Sequence, residues 1–260
     1  MVQENTPRRY KLTIEYDGTN FSGWQKQKDA RTVQGDLLKG ATRVFGDTDI
    51  DIQGCGRTDA GVHALEFVAH LEVVSELNQA EVAKELNDTL PKDIAIISAE
   101  DAGPRFHARH NCVARSYVYK IRKRKSAFGK RYDWWVREEL KLALMIRAGD
   151  VLVGMHDYAS FAEKKELKKS TKVLVHDVQV TDDGEFITIL VVGSHFLWRM
   201  VRRIVGVLVE AGCRRLTEND IGGFLVKPST IPANHTAPGA GLFFEKAFYS
   251  DEELQQFLVG

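Results

Sequence analysis

The chain is poor in cysteine, carries no net charge and has no long apolar run. Three cysteines, Cys55, Cys112 and Cys213, lie far apart in 260 residues. An odd, scattered set makes neither a disulfide framework nor a paired-thiol metal motif, which points to a reducing compartment. No apolar stretch is long enough to span a bilayer. Residues 1–9 are polar and do not read as a secretory signal. The expected location is therefore the cytoplasm, with no membrane partner. Basic and acidic side chains number 36 each, so overall charge lends no support to a nucleic-acid partner.

The distribution of charge does lend it. Arg105, Arg109, Arg115, Lys120, Arg122, Lys123, Arg124, Lys125, Lys130, Arg131 and Arg137 share one window with a single acid, Asp133. Tyr117, Tyr119, Phe128, Tyr132, Trp134 and Trp135 are interleaved with them. A charge run is usually a solvated face, but cations mixed with rings suit a surface that holds phosphates and stacks bases. A second cluster, Lys164, Lys165, Lys168, Lys169 and Lys172, is diluted by Glu163 and Glu166.

Periodicity predicts strands over residues 11–16, 49–55, 65–73 and 93–99, with helices over 33–45 and 79–89. Thr32 is the expected cap of the first helix, and Pro91 ends the second. The β-α-β-β-α-β order then returns. A strand is predicted over 112–121 and a helix over 138–153. A hairpin over 172–181 and 185–192 turns at Asp182-Asp183-Gly184, followed by an amphipathic helix over 196–212. A short helix over 218–226 precedes a last strand over 242–248. Two such units predict an α+β protein of two ferredoxin-like (βαββαβ) halves, residues 1–105 and 106–260, with the boundary near 103–111. No low-complexity tract separates the halves, so they are expected to pack closely.

The most informative stretch is Gly56-Arg57-Thr58-Asp59-Ala60-Gly61-Val62-His63-Ala64. Arg57 and Asp59 fall on one face of an extended backbone, and an ion pair between them would favour the ionised acid. Gly54, Gly56 and Gly61 leave room for a tight turn or for a ligand's close approach. The pattern reads as a carboxylate displayed at the end of a strand, although most such triplets are ordinary surface salt bridges. In the predicted helix over 196–212, Leu197, Met200, Val201, Ile204, Val205 and Leu208 form the apolar stripe. Arg199, Arg202 and Arg203 fall off it, towards solvent or a cleft.

Read whole, GRTDAGVHA resembles the signature of the tRNA pseudouridine synthase A (TruA) family. Ordered matches continue through Tyr16-Asp17-Gly18-Thr19-Asn20-Phe21-Ser22-Gly23-Trp24-Gln25, Thr32-Val33-Gln34, Leu86-Asn87, Leu90-Pro91 and Asp93-Ile94. Phe106-His107-Ala108-Arg109, Ala114-Arg115-Ser116-Tyr117, and His156-Asp157-Tyr158 with Ser160-Phe161 follow. Met200-Val201-Arg202 with Ile204-Val205-Gly206, then Gly241-Leu242, complete the series. The resemblance implies the pseudouridine synthase fold, two halves joined through a central, mostly antiparallel sheet with RNA in the cleft between them. It implies isomerisation of uridine to pseudouridine in the tRNA anticodon stem-loop, at about positions 38 to 40, with shape recognised over sequence. The N1–C1′ bond breaks, the uracil turns over and a C5–C1′ bond forms. No redox equivalent is consumed, so the lack of a dinucleotide fingerprint, a P-loop or a clear metal cluster fits a reaction with no cofactor and no metal. A homodimer holding each tRNA across both subunits is implied as well.

The same resemblance makes Asp59 the essential carboxylate, acting as a nucleophile at the sugar or the base, or as a base at C2′. It sets Tyr117 against the target uracil, Arg202 beside the catalytic aspartate and Leu242 on the other side of the base. Tyr119 shares a strand face with Tyr117, and the Ala-Arg-x-Tyr frame is what separates them. Arg57 is suited to filling the space an everted uridine leaves. Arg199 and Arg203 are expected to touch phosphate, and His63 to be structural. Gly35 stands where the family often has glutamate, and Ser170-Thr171-Lys172 replaces an arginine-threonine pair, which bears on tRNA docking. Two other readings compete: an RNA-binding protein with no use for Asp59, and a small-molecule enzyme that would leave the basic window without a purpose.

Overall fold

A computed structural model describes residues 6–46, 49–165, 168 and 170–260. Glu166 and Lys169 of the second lysine cluster, and residues 1–5 of the polar start, lie outside the described residues. The chain runs β1 (Arg8–Tyr16), α1 (Val33–Phe45), β2 (Asp51–Gly54), β3 (His63–Val73), α2 (Gln79–Thr89), β4 (Ile94–Ala102) and β5 (Ala114–Arg122). It continues with β6 (Trp134–Trp135), α3 (Leu142–Asp150), β7 (Gly154–Asp157), β8 (Lys172–Asp182), β9 (Phe186–Gly193) and α4 (Met200–Gly212). Then come α5 (Glu218–Val226), α6 (Ile231–Asn234), β10 (Leu242–Phe248) and α7 (Asp251–Val259). The fold class is α+β, as the pattern predicts. The chain divides into two compact units, Met1–Val113 with Phe244–Glu253, and Ala114–Phe243 with Leu254–Gly260.

In the first unit β1 pairs antiparallel with both β3 and β4, β2 pairs antiparallel with the far end of β3, and β10 neighbours β3. Tyr10, Leu12, Ile14 and Tyr16 are buried at every second position of β1, as a strand with one core face requires. Thr32 caps α1 by accepting the Gly35 N–H. Asn78 and Glu81 form a capping box at the start of α2. Helix α2 packs on β4, and α1 packs on α2. Strand β3 departs from alternation: Phe67, Val68, Ala69, His70 and Leu71 are all buried. The turn at Phe106–Asn111 supplies the second cover, since the Ala108 N–H bonds His70 Nδ1 at 3.1 Å.

In the second unit β5, β9, β8 and β7 lie side by side, all antiparallel, and β6 adds parallel to the end of β5. Helix α3 packs on β8 and on α4. The structure trims two predicted helices. The one expected over 138–153 spans only α3, whose leading Lys141 provides no side-chain cap. The one expected over 196–212 begins at Met200, because Arg199 adopts a left-handed backbone, φ 63°. A residue there cannot continue a right-handed helix.

Candidate active site

Asp59 sits in the loop between β2 and β3, and three anchors in the first unit hold that loop. The Thr58 side chain turns inward, 8% exposed, with its hydroxyl 2.9 Å from the Tyr16 phenol. Its neighbours turn the other way: Asp59 is half-buried and Arg57 is exposed. The backbone is stitched to the segment after β1. Trp24 N–H donates to the Thr58 carbonyl at 3.1 Å, and Gly61 N–H donates to the Phe21 carbonyl at 3.3 Å. Val62 N–H closes a turn onto the Asp59 carbonyl at 3.2 Å.

Two glycines make that close stitching possible. Gly23 has φ +94°, and a Cβ there would stand 2.5 Å from the Thr58 carbonyl oxygen. A Cβ at Gly18 would collide with the Val62 carbonyl. The Gly18 N–H instead donates to Nδ1 of His63 at 3.0 Å, and Asp17 Oδ1 lies 3.1 Å from the same nitrogen. His63, 2% exposed, thus joins the loop to the segment after β1. Sequence spacing puts Arg57 and Asp59 on one face, but Arg57 has no ion-pair partner among the described residues. The pair expected from spacing is not formed. The exposed position of Arg57 follows from the inward anchor of Thr58.

Tyr117 and Tyr119 follow one another on the same face of β5, and in the second unit their surroundings separate them. Tyr119 is fully buried, donates its hydroxyl to the Pro238 carbonyl at 2.9 Å, and has its phenol pushed well above the usual tyrosine range by burial. That group is fixed in a structural bond. Tyr117 packs its ring edge-on against Phe196, centroids 5.2 Å apart. Arg202 is half-buried, with Nε donating to the Ala237 carbonyl at 2.7 Å and its own carbonyl accepting the Ala237 N–H at 3.0 Å. Leu242 is 4% exposed and follows Gly241, where a Cβ would meet the Tyr119 ring at 2.7 Å.

Two expectations about basic side chains are corrected. Arg203 is buried, donating to the Ala162 carbonyl and, at 2.6 Å, to Glu163. It braces α4 against the preceding chain and is not placed to meet a phosphate. Arg122, in the basic window, is also buried. It pairs with Asp133 at 2.8 Å and Glu185 at 2.5 Å and lies 4.3 Å over the Phe186 ring. Asp133, the one acid of the window, therefore pins the base of the loop between β5 and β6. That loop carries Arg124, Lys125, Lys130 and Phe128 outward, with Phe128 85% exposed and Lys125 Nζ 5.7 Å over the Trp135 ring. Arg199 shares its charge with Glu163 at 3.1 Å. Among the described residues no group of His, Cys, Asp and Glu is arranged to hold a metal ion, and no helix is long and apolar enough to cross a membrane.

Comparison with known proteins places the chain in a family. The family described as tRNA pseudouridine synthase matches residues 12–111 and 148–250. A tRNA pseudouridine synthase A 2 of Bacillus cereus is 39% identical over 239 residues, covering 91% of this chain and 97% of that protein. A tRNA pseudouridine synthase A of Geobacter sulfurreducens is 39% identical over 241 residues, covering 92% and 98%. A tRNA pseudouridine synthase A 2 of Clostridium tetani is 36% identical over 247 residues, covering 94% and 99%. With its sequence matched nearly end to end and its α+β fold in agreement, the chain belongs to the tRNA pseudouridine synthase family of isomerases.

Proposed function

We propose that the chain isomerises uridine to pseudouridine in the anticodon stem-loop of tRNA, at about positions 38 to 40, recognising shape more than sequence. One observation carries the reading: the family match includes a loop whose single carboxylate, Asp59, is half-buried while Thr58 beside it is locked into the core. Asp59 is the essential group, acting as a nucleophile at the sugar or base or as a base at C2′. The N1–C1′ bond breaks, the uracil turns over, C5 bonds to C1′, and the proton lost from C5 is balanced by one gained at N1. Tyr117 lies against the uracil, where its ring stacks and its hydroxyl takes part in removing the C5 proton. Leu242 packs on the base, and Arg202 supplies a cation to the reaction.

The target must leave the stack before C1′ can be reached. That costs a few kcal/mol, roughly, and must be offset by contacts to the RNA. Arg57, exposed and two residues from Asp59, takes the place the base leaves. The outward cations of the loop between β5 and β6 hold phosphates, and Phe128, Tyr132 and Trp135 offer rings to bases. In this reading residues 1–105 carry the catalytic acid, while residues 106–260 contribute tRNA-binding and base-facing groups. The protein acts in the cytoplasm, as a homodimer, with no cofactor.

The test is Asp59→Ala assayed on unmodified tRNA, with pseudouridine mapped by position. The expected result is no product, with tRNA affinity within about tenfold of wild type, because phosphate contacts do most of the positioning. Retained turnover, or turnover of free uridine as fast as of tRNA, would overturn the proposal.

A further inference from the structure

Three motifs have no part in the chemistry above: Gly23-Trp24-Gln25, Thr32-Val33-Gln34 and Phe106-His107-Ala108-Arg109. In the first unit they meet the catalytic loop at one place. A cavity of about 300 Å3 is walled by Gln25, Gln34, Gln53, Asp51, Arg57 and Arg109. We infer that this cavity is a subsite for a second nucleotide of the same RNA, a neighbour of the reacting uridine, which rests on the RNA substrate proposed above.

The walls have the chemistry of a nucleotide site. Gln34 holds its surroundings: its Oε1 accepts from Gln25 Nε2 at 2.6 Å and from the Lys26 N–H at 2.8 Å, while its Nε2 donates to the Ile52 carbonyl at 2.8 Å. It is a positioning residue, fixing the Gln25 amide. Gln53 is fixed in turn by donating to Asp51 Oδ2 at 2.7 Å. Amides held in one orientation present a donor and an acceptor together, which a base edge requires. Asp51 is also occupied by the buried His70, whose Nε2 lies 3.6 Å from the carboxylate. The lining carries two guanidinium groups, Arg57 and Arg109, and one carboxylate, Asp51, and guanidinium groups are the donors that suit a phosphodiester.

The cavity's relation to the loop sets which nucleotide it takes. Arg57 forms part of the wall, and Asp59 does not. A guanidinium stacks with its face while donating from its edge, so Arg57 serves both the vacated stack and the neighbouring phosphate. The occupant is therefore adjacent to the reacting base and is not the reacting base itself.

The experiment alters one exposed wall residue in opposite senses: Gln53→Glu and Gln53→Lys, each assayed for pseudouridine formation and tRNA binding. The Glu variant should raise both KM and Kd for tRNA by about tenfold, and the Lys variant should lower Kd, as expected of a residue beside a phosphate. Opposite signs separate charge recognition from damage to β2, which would weaken binding in both variants. Values within twofold of wild type for both, or shifts of the same sign, would overturn the subsite while leaving the wild-type activity standing. A wild type inactive on tRNA would overturn the subsite and the proposed function together.

Discussion

The phenol of Tyr16 and the hydroxyl of Thr58 form a buried 2.9 Å hydrogen bond between the end of β1 and the loop that displays Asp59. Residues 42 positions apart are thereby joined directly beside the carboxylate. Rigidity in that bond becomes precision at the neighbouring side chain.

Tyr16→Phe should consequently cost about 1–2 kcal/mol of stability, because it leaves a buried hydroxyl unsatisfied. Pseudouridine formation should fall further than tRNA affinity does. Urea denaturation and single-turnover kinetics measure the two effects, and equal losses in rate and binding would contradict the link.

Gly23→Ala should destabilise by at least about 1–3 kcal/mol, since overpacking adds to an unfavourable backbone angle. The φ of +94° and the 2.5 Å approach to the Thr58 carbonyl leave no relaxed conformation. A melting temperature equal to that of the wild type would show that the loop moves aside.

Acid should weaken the first unit. Burial first, then His107 and Arg9, hold the His70 pKa below its ordinary 6.5, with Asp51 opposing. His107 is lowered too, by burial and His110. Both rings bind fewer protons when folded than when unfolded, so stability rises with pH across this window. The contribution is complete above the ordinary value of 6.5 and is lost as pH falls towards the depressed folded values. Denaturant midpoints at pH 7.5 and 5.0 should differ in that sense, and His70→Gln should flatten the difference. A midpoint that rises on acidification would refute the assignment.

The outward cations of the loop between β5 and β6 give a salt-dependent prediction. Lys125→Ala with Lys130→Ala should weaken tRNA binding and reduce the slope of log K against log salt by roughly 0.7–0.9 per lost phosphate contact. Asp133→Asn should act on the same loop from beneath, loosening it by removing the charge that Arg122 grips. An unchanged slope in the double variant would show the loop idle in binding.

Much of the framework was legible because its signals are local. Helix α2 has its predicted bounds, with a capping box at Asn78 and Glu81 and with Pro91 just beyond its end. The hairpin of β8 and β9 turns where Asp182-Asp183-Gly184 stands. Alternation read the stretch before His63 as a strand end, whereas Asp59 lies in the loop between β2 and β3, half-buried. What failed depends on distant partners. Arg203 lies off the apolar stripe yet is buried, because Glu163, 40 residues earlier, reaches it. Arg122 looked like one more surface cation until Asp133 and Glu185 enclosed it. Strand β3 hides its period because a turn from beyond β4 covers its second face.

Residues 244–248 of β10 complete the first unit beside β3, with Phe244 edge-on to Phe67 at 5.0 Å. A ribosome makes that strand about 130 residues after the unit's main segment ends at Val113, so the stretch of β3 that β2 does not pair stays an open edge while those residues are made. The loop bearing Asp59 therefore emerges well before the strand that completes the sheet supporting it.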